Sequence, residues 1–151
     1  MWNDPKVIEW ATLLLDSFRR WTGEDFMVRG NDPNNDAEQL FTSVFEVVSH
    51  GIEPDPILNY GNGAALHLWE MDWSTFISTP SRETAEEGDR AERDAVLGHV
   101  RVHGYLRGYK GVRITSSRRR FQIEDGTIWN VLDHDGQRVG QAALLSFWRY
   151  L

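Results

Sequence analysis

Asp55-Pro56-Ile57-Leu58-Asn59-Tyr60-Gly61-Asn62-Gly63-Ala64-Ala65-Leu66 is the stretch on which the fold turns. A short extended segment, residues 56–60, is broken by Gly61-Asn62-Gly63, and Asn62 is placed to cap a short helix carrying Ala64, Ala65, Leu68 and Trp69. We read Asn62 as that cap rather than as a ligand contact. Asp72 caps another brief turn, which carries Trp73 and Phe76. Upstream, Phe41, Val44, Phe45, Val47 and Val48 form a β-branched and aromatic run ending at Ser49-His50-Gly51, which predicts a strand and turn. Downstream, residues 81–88 are polar and connect to a helix over about 89–103, stopped by Gly104. The last third predicts three strands, over 105–114, 119–132 and 137–148. Their turns fall at Ser116-Ser117-Arg118 and Asp133-His134-Asp135-Gly136, and Gly126 marks a bulge in the second strand.

Before this region stands an amphipathic helix. Asp4 caps it, Pro5 occupies a first-turn position, and Gly23 ends it. Val7, Ile8, Ala11, Leu14, Leu15, Phe18 and Trp21 make one broad apolar face. Residues 29–39 show no hydrophobic pattern and read as a mobile linker. The final strand is apolar on both alternating sets: Val139, Ala143, Leu145 and Phe147 against Ala142, Leu144 and Trp148. Such a strand needs two covering layers. The short helices supply one and the N-terminal helix the other. The expected architecture is α+β: a five-stranded antiparallel sheet with short helices on one face. Residues 1–28 form the helix, 29–39 the linker and 40–151 the domain, with one domain overall.

Composition bounds the function. The chain has 151 residues with a net charge of −7 and no cysteine. Thiol nucleophiles, disulfides and thiolate metal sites are therefore excluded. Residues 1–98 carry 19 acidic and 7 basic side chains, and residues 99–151 carry 4 and 9. An acidic total argues against general nucleic-acid binding, and Arg118-Arg119-Arg120 reads as a solvated hairpin. No apolar run spans a membrane and the start lacks a secretory pattern, so the expected location is cytoplasmic.

The order of elements and the words at 55–66 resemble the PAS layout. More narrowly, the chain resembles the MEKHLA-domain family of PAS-like proteins, through segments spread over nearly its whole length. Among them are Leu15-Asp16-Ser17-Phe18-Arg19-Arg20-Trp21-Thr22-Gly23, Val48-Ser49-His50-Gly51, Leu68-Trp69-Glu70-Met71-Asp72-Trp73 and Gly140-Gln141-Ala142-Ala143. The resemblance implies a PAS-like fold and a sensory or regulatory role, of the type that stands alone in bacteria. It also sets cofactor chemistries to test. Cysteinyl flavin adducts and cysteine-linked chromophores have no residue to form them, and the cofactor is otherwise unknown. A haem would look to His99 and His103, which share a helix face; we read them as solvent-facing histidines, since no third ligand is spaced to join them.

The candidate pocket has aromatic walls, Trp69, Trp73, Phe76 and Trp129, with polar groups from Asn59, Tyr60, Tyr109 and Asn130. The same aromatics would serve equally as core. His50, beside a glycine at a strand end, is either a ligand contact, an acid–base group or a structural histidine. Three readings follow: a sensory module binding a small organic ligand or a protein partner, a small pocket enzyme using His50, or a dimerisation adaptor. No catalytic motif supports the enzyme. The wide apolar face of the N-terminal helix points to a homodimer through it.

Overall fold

The computed structural model describes residues 1–151. Helix α1 (Pro5–Thr22) starts at Asp4, whose carboxylate accepts from the Lys6 amide, and ends at Gly23 in the left-handed conformation. Helix α2 (Pro33–Phe41) follows, then strands β1 (Glu46–His50) and β2 (Leu58–Gly61). Short helices α3 (Gly63–Trp69) and α4 (Trp73–Phe76), capped by Asn62 and Asp72, lead through two 3-10 turns to α5 (Arg90–His103). Strands β3 (Tyr105–Ile114), β4 (Arg120–Leu132) and β5 (Arg138–Tyr150) complete a sheet of order β2-β1-β5-β4-β3, antiparallel throughout. The first strand thus lies beside the last, with Val48 opposite Ala143. This is the α+β architecture that the PAS-like layout implies.

The sheet separates two cores. On one face α1 and α2 bury Leu14, Phe18 and Leu40 against Val47, Trp129 and Leu144. On the other, α3, α4 and α5 bury Leu68, Phe76 and Val100 against Phe121, Ile128 and Leu145. Polar bonds add to the apolar packing in fastening α1 to the sheet. Trp129 donates its indole N–H to the Leu14 carbonyl (3.2 Å), Trp21 to the Asn130 carbonyl (2.9 Å), and Trp10 to Ser49 Oγ (2.9 Å). Ser17 Oγ accepts the Leu132 amide at 2.8 Å. The middle of the apolar face through which a homodimer was expected packs on the chain's own sheet, with Ala11, Leu14, Leu15 and Phe18 buried there, while Val7, Ile8 and Trp21 are half-buried.

Three expectations are corrected. Residues 29–39 are not a structureless linker: Asp32 caps α2, Pro33 takes its first turn, and Ala37 and Leu40 are buried one turn apart. Arg29 adds ion pairs to Asp16 (2.7 Å) and Asp36 (3.4 Å), which fasten the segment to α1. The apolar run at 41–48 is divided, since Phe41 ends α2, Val44 and Phe45 are exposed, and the strand begins only at Glu46. In β5, Trp148 packs with Leu145 on the face of α3–α5 rather than with Leu144. Register irregularities around Asp125 shift the alternation there, and Phe147 turns to solvent.

At the centre, Asn62 is wholly buried and makes four side-chain bonds. Its Nδ2 donates to the carbonyls of Leu40 (3.0 Å) and Phe45 (2.7 Å), and its Oδ1 accepts the amides of Val47 (3.0 Å) and Ala65 (3.1 Å). Asn62→Ala leaves these groups without partners, at a cost of more than about 3 kcal/mol. Asn62→Asp keeps the cap but sets an oxygen against two carbonyls, so it too should be strongly destabilising; Asp72→Ala, at an exposed cap, should lose only a small fraction as much. Urea unfolding of the three variants checks the order, and a mild Asn62→Asp would contradict it. Deleting residues 1–28 uncovers the part of one sheet face that α1 covers, including Trp129 and Leu144. The shortened chain should lose cooperative thermal unfolding instead of surviving as a folded monomer.

Candidate functional site

Between the sheet and α3–α5 lies a cavity of about 60 Å³. Ile123, Ile128, Ala143 and Leu145 line it from the sheet, and Trp69, Phe76 and Leu97 from the helices. Its lining is also polar: His50, Ser81, Arg93, Tyr109, Arg113 and Gln141 all reach it. A wider cleft of about 420 Å³ adjoins it, sharing His50, Arg93, Leu97 and Gln141, and lies between α5 and residues 52–56.

Of the nine expected pocket residues, His50, Trp69, Phe76 and Tyr109 line this cavity, and five do not. Trp129 faces α1, on the opposite side of the sheet. Tyr60 and Trp73 pack edge to face, 5.8 Å apart, in that same α1-side core. The cause lies in the β1–β2 register: Ser49 opposes Tyr60 and His50 opposes Leu58, so the ladder skips Asn59. Leu58 and Tyr60 then enter different cores although they are two residues apart. Asn59 accepts from Ser49 Oγ at 2.7 Å. Asn130 holds the end of α5, donating from Nδ2 to the carbonyls of Val100 (3.0 Å) and Arg101 (3.3 Å).

Sequence reading passed over Arg93, Arg113, Ser81 and Gln141. A signal for two of them was present. Arg93 stands four and seven residues before Leu97 and Val100, on the inward stripe of α5. Arg113 stands four residues after Tyr109 in β3, on the same face of a strand. Both arginines are buried, with 5% and 7% of their surface exposed. Gln141 donates from Nε2 to the Leu97 carbonyl (2.9 Å) and to Asn130 Oδ1 (3.1 Å). Since the Asn130 carbonyl accepts from Trp21, hydrogen bonds run from the cavity wall across the sheet to α1.

Two buried nitrogens at the cavity lack partners, His50 Nε2 and Trp69 Nε1. His50 Nδ1 lies 2.9 Å from the Gly51 carbonyl and so must carry the proton. Nε2 is then a bare lone pair, while Trp69 offers an unused N–H. Burial holds the His50 pKa down to about 4, with Arg93 and Arg138 pushing the same way against the Gly51 bond and Glu53. The ring is neutral at pH 7 and has no carboxylate partner.

The remaining basic groups are placed otherwise. His99 and His103 are exposed and stacked on each other at 4.1 Å. Arg118 and Arg120 pair with Glu86, and Arg119 lies over the Tyr150 ring.

His50 makes stability pH-dependent. Between its ordinary pKa of 6.5 and about 4 the unfolded chain binds the proton and the folded chain does not. Its contribution is complete above pH 6.5 and is lost as pH falls toward 4, by about 3 kcal/mol. Denaturant unfolding of His50→Gln should show a visibly shallower loss over that interval; a slope equal to the wild type's would assign the effect to other groups.

Comparison with known proteins agrees with this fold. The chain is similar in fold to the PAS domain of a protein from Colwellia psychrerythraea, with a TM-score of 0.65 at 14% identity over 78% of this chain and 94% of that one. An RNA-binding light-oxygen-voltage receptor matches with a TM-score of 0.66 at 15% identity over 80% of this chain, which spans only 35% of the receptor. A light-oxygen-voltage domain studied with a flavin analogue matches at 0.60 and 14% identity, over 76% of this chain and 83% of that one. No curated protein matches. No helix is long and apolar enough to cross a membrane. The sequence profile of the MEKHLA domain matches residues 8–150, nearly the whole chain. The chain belongs to the MEKHLA domain family.

Proposed function

We propose that this MEKHLA domain is a sensory or regulatory module that binds a small organic ligand in the cavity between the sheet and α3–α5. The observation that carries the reading is the pair of unpartnered buried nitrogens, His50 Nε2 and Trp69 Nε1, at a partly apolar cavity. An unsatisfied buried polar group costs roughly 1–3 kcal/mol, so a ligand that satisfies even one of the two is favoured at this cavity. The bonds from Gln141 through Asn130 to Trp21 give such a ligand a route to α1.

A flavin does not fit this space. The cavity is smaller than the ~150 Å³ that accommodates a single benzene ring, and the chain has no cysteine for an adduct. Acid–base catalysis by His50 gains no support either, because its ring is bonded only to a backbone carbonyl. A homodimer is not needed for this reading, since the apolar face of α1 rests on its own sheet.

Native mass spectrometry of the purified protein, followed by denaturing extraction, should reveal a bound small molecule. Trp69→Phe keeps an aromatic ring but loses the pyrrole half of the indole and its N–H, so it should fold at some cost in stability and, at a temperature where both proteins are fully folded, retain the ligand several-fold less well. Equal retention by both proteins, or no adduct under any condition, would count against the reading.

A further inference from the structure

Arg93 and Arg113 meet at the same cavity with too little negative charge to balance them. Arg93 donates to Ser81 Oγ and pairs with Asp94 at 3.0 Å, yet the Asp94 side chain is 66% exposed and lies at the rim. Arg113 has no ion pair. It donates to the carbonyl of its neighbour Val112 (2.9 Å), and its guanidinium lies 5.5 Å from the centre of the Tyr109 ring. Glu92, on the same side, accepts from the Tyr109 hydroxyl at 3.4 Å. Burial and the Arg113 charge together lower the Arg93 pKa. Two like charges held out of water without a matching anion are costly, and arginine's planar fork is suited to receive a carboxylate.

Resting on the cavity reading above, we propose that the ligand is a short-chain organic carboxylate, its anionic group held by Arg93 and Arg113. The apolar lining from Ile123, Ile128 and Leu145 takes the carbon chain, and a cavity of about 60 Å³, smaller than one that holds benzene, limits the molecule to fewer than about six heavy atoms. The unused Trp69 N–H adds one further donor for the carboxylate.

The test uses propionate, its neutral isostere propionamide and inorganic phosphate, each titrated into the full chain by calorimetry and thermal shift. Propionate should bind and raise the melting temperature, and propionamide should bind at least tenfold more weakly. Arg113→Met removes an unpaired buried charge while keeping volume, so it should fold, lose at least tenfold in propionate affinity, and bind propionamide unchanged. Arg82→Met, at an exposed ion pair with Asp55, should bind propionate as the wild type does. Propionamide binding as tightly as propionate would overturn the carboxylate while leaving the cavity as a ligand site. Phosphate binding with no response to propionate would overturn the organic body. Silence toward all three overturns this proposal, and silence together with no extractable small molecule overturns the cavity reading with it.

Discussion

A single carboxamide holds the two halves of this molecule in register. Asn62 receives two amides and serves two carbonyls, and these four groups belong to the end of α2, the approach to β1, β1 itself and the first turn of α3. Its own amide donates to the Val47 carbonyl, which closes the β1–β2 pairing. No other residue type offers two donors and two acceptors on so short an arm. The cavity depends on this node, because α3 carries Trp69, and the direction of α3 is set where Asn62 caps it. Asn62 thus fixes where the pocket roof sits relative to the sheet.

The two faces of the sheet differ in kind. The α1 side is tied by indole hydrogen bonds and by aromatic rings meeting edge to face, as in Phe18 with Trp129 at 5.1 Å. The other side mixes Leu, Ile and aromatic groups with buried arginines. A core meant only to be stable would replace such charges with apolar side chains of similar volume, often at no loss. Gly104 joins the two sides: its φ of 105° turns the chain from α5 into β3, and a Cβ there would stand 2.5 Å from the Trp21 ring. The end of α5 is therefore packed directly against α1, although the helices cover opposite faces.

Capping residues, turn glycines and the terminal meander were legible in the sequence because each acts over a few neighbouring residues. Asn62, Asp72, Gly104 and the three final strands are local statements. Helix α2 was hidden because its apolar residues are few, and its order comes from Arg29 reaching Asp16 and Asp36. The site was half legible. Trp129 and Ile128 are adjacent letters that face opposite cores, and nothing local says which face is which. The skipped residue at Asn59 sent Tyr60 to the far side for the same reason. Arg93 stood in a run of charges, Glu92-Arg93-Asp94, whose neighbours point to water, and only its spacing from Leu97 and Val100 set it apart.

The strand order also has a meaning for synthesis. Strand β1 is made before two-thirds of the chain, yet one of its edges pairs with β5, the last strand to emerge. Until then the β1 edge that will meet β5 is unpaired, and there is no sheet on which to dock α1. Folding of this topology must close the longest loop in the domain before its centre exists, which favours slow, late assembly. The nascent chain therefore carries the amphipathic α1 without its sheet until residues 138–150 have emerged, a period in which its Leu and Trp side chains are open to chaperones.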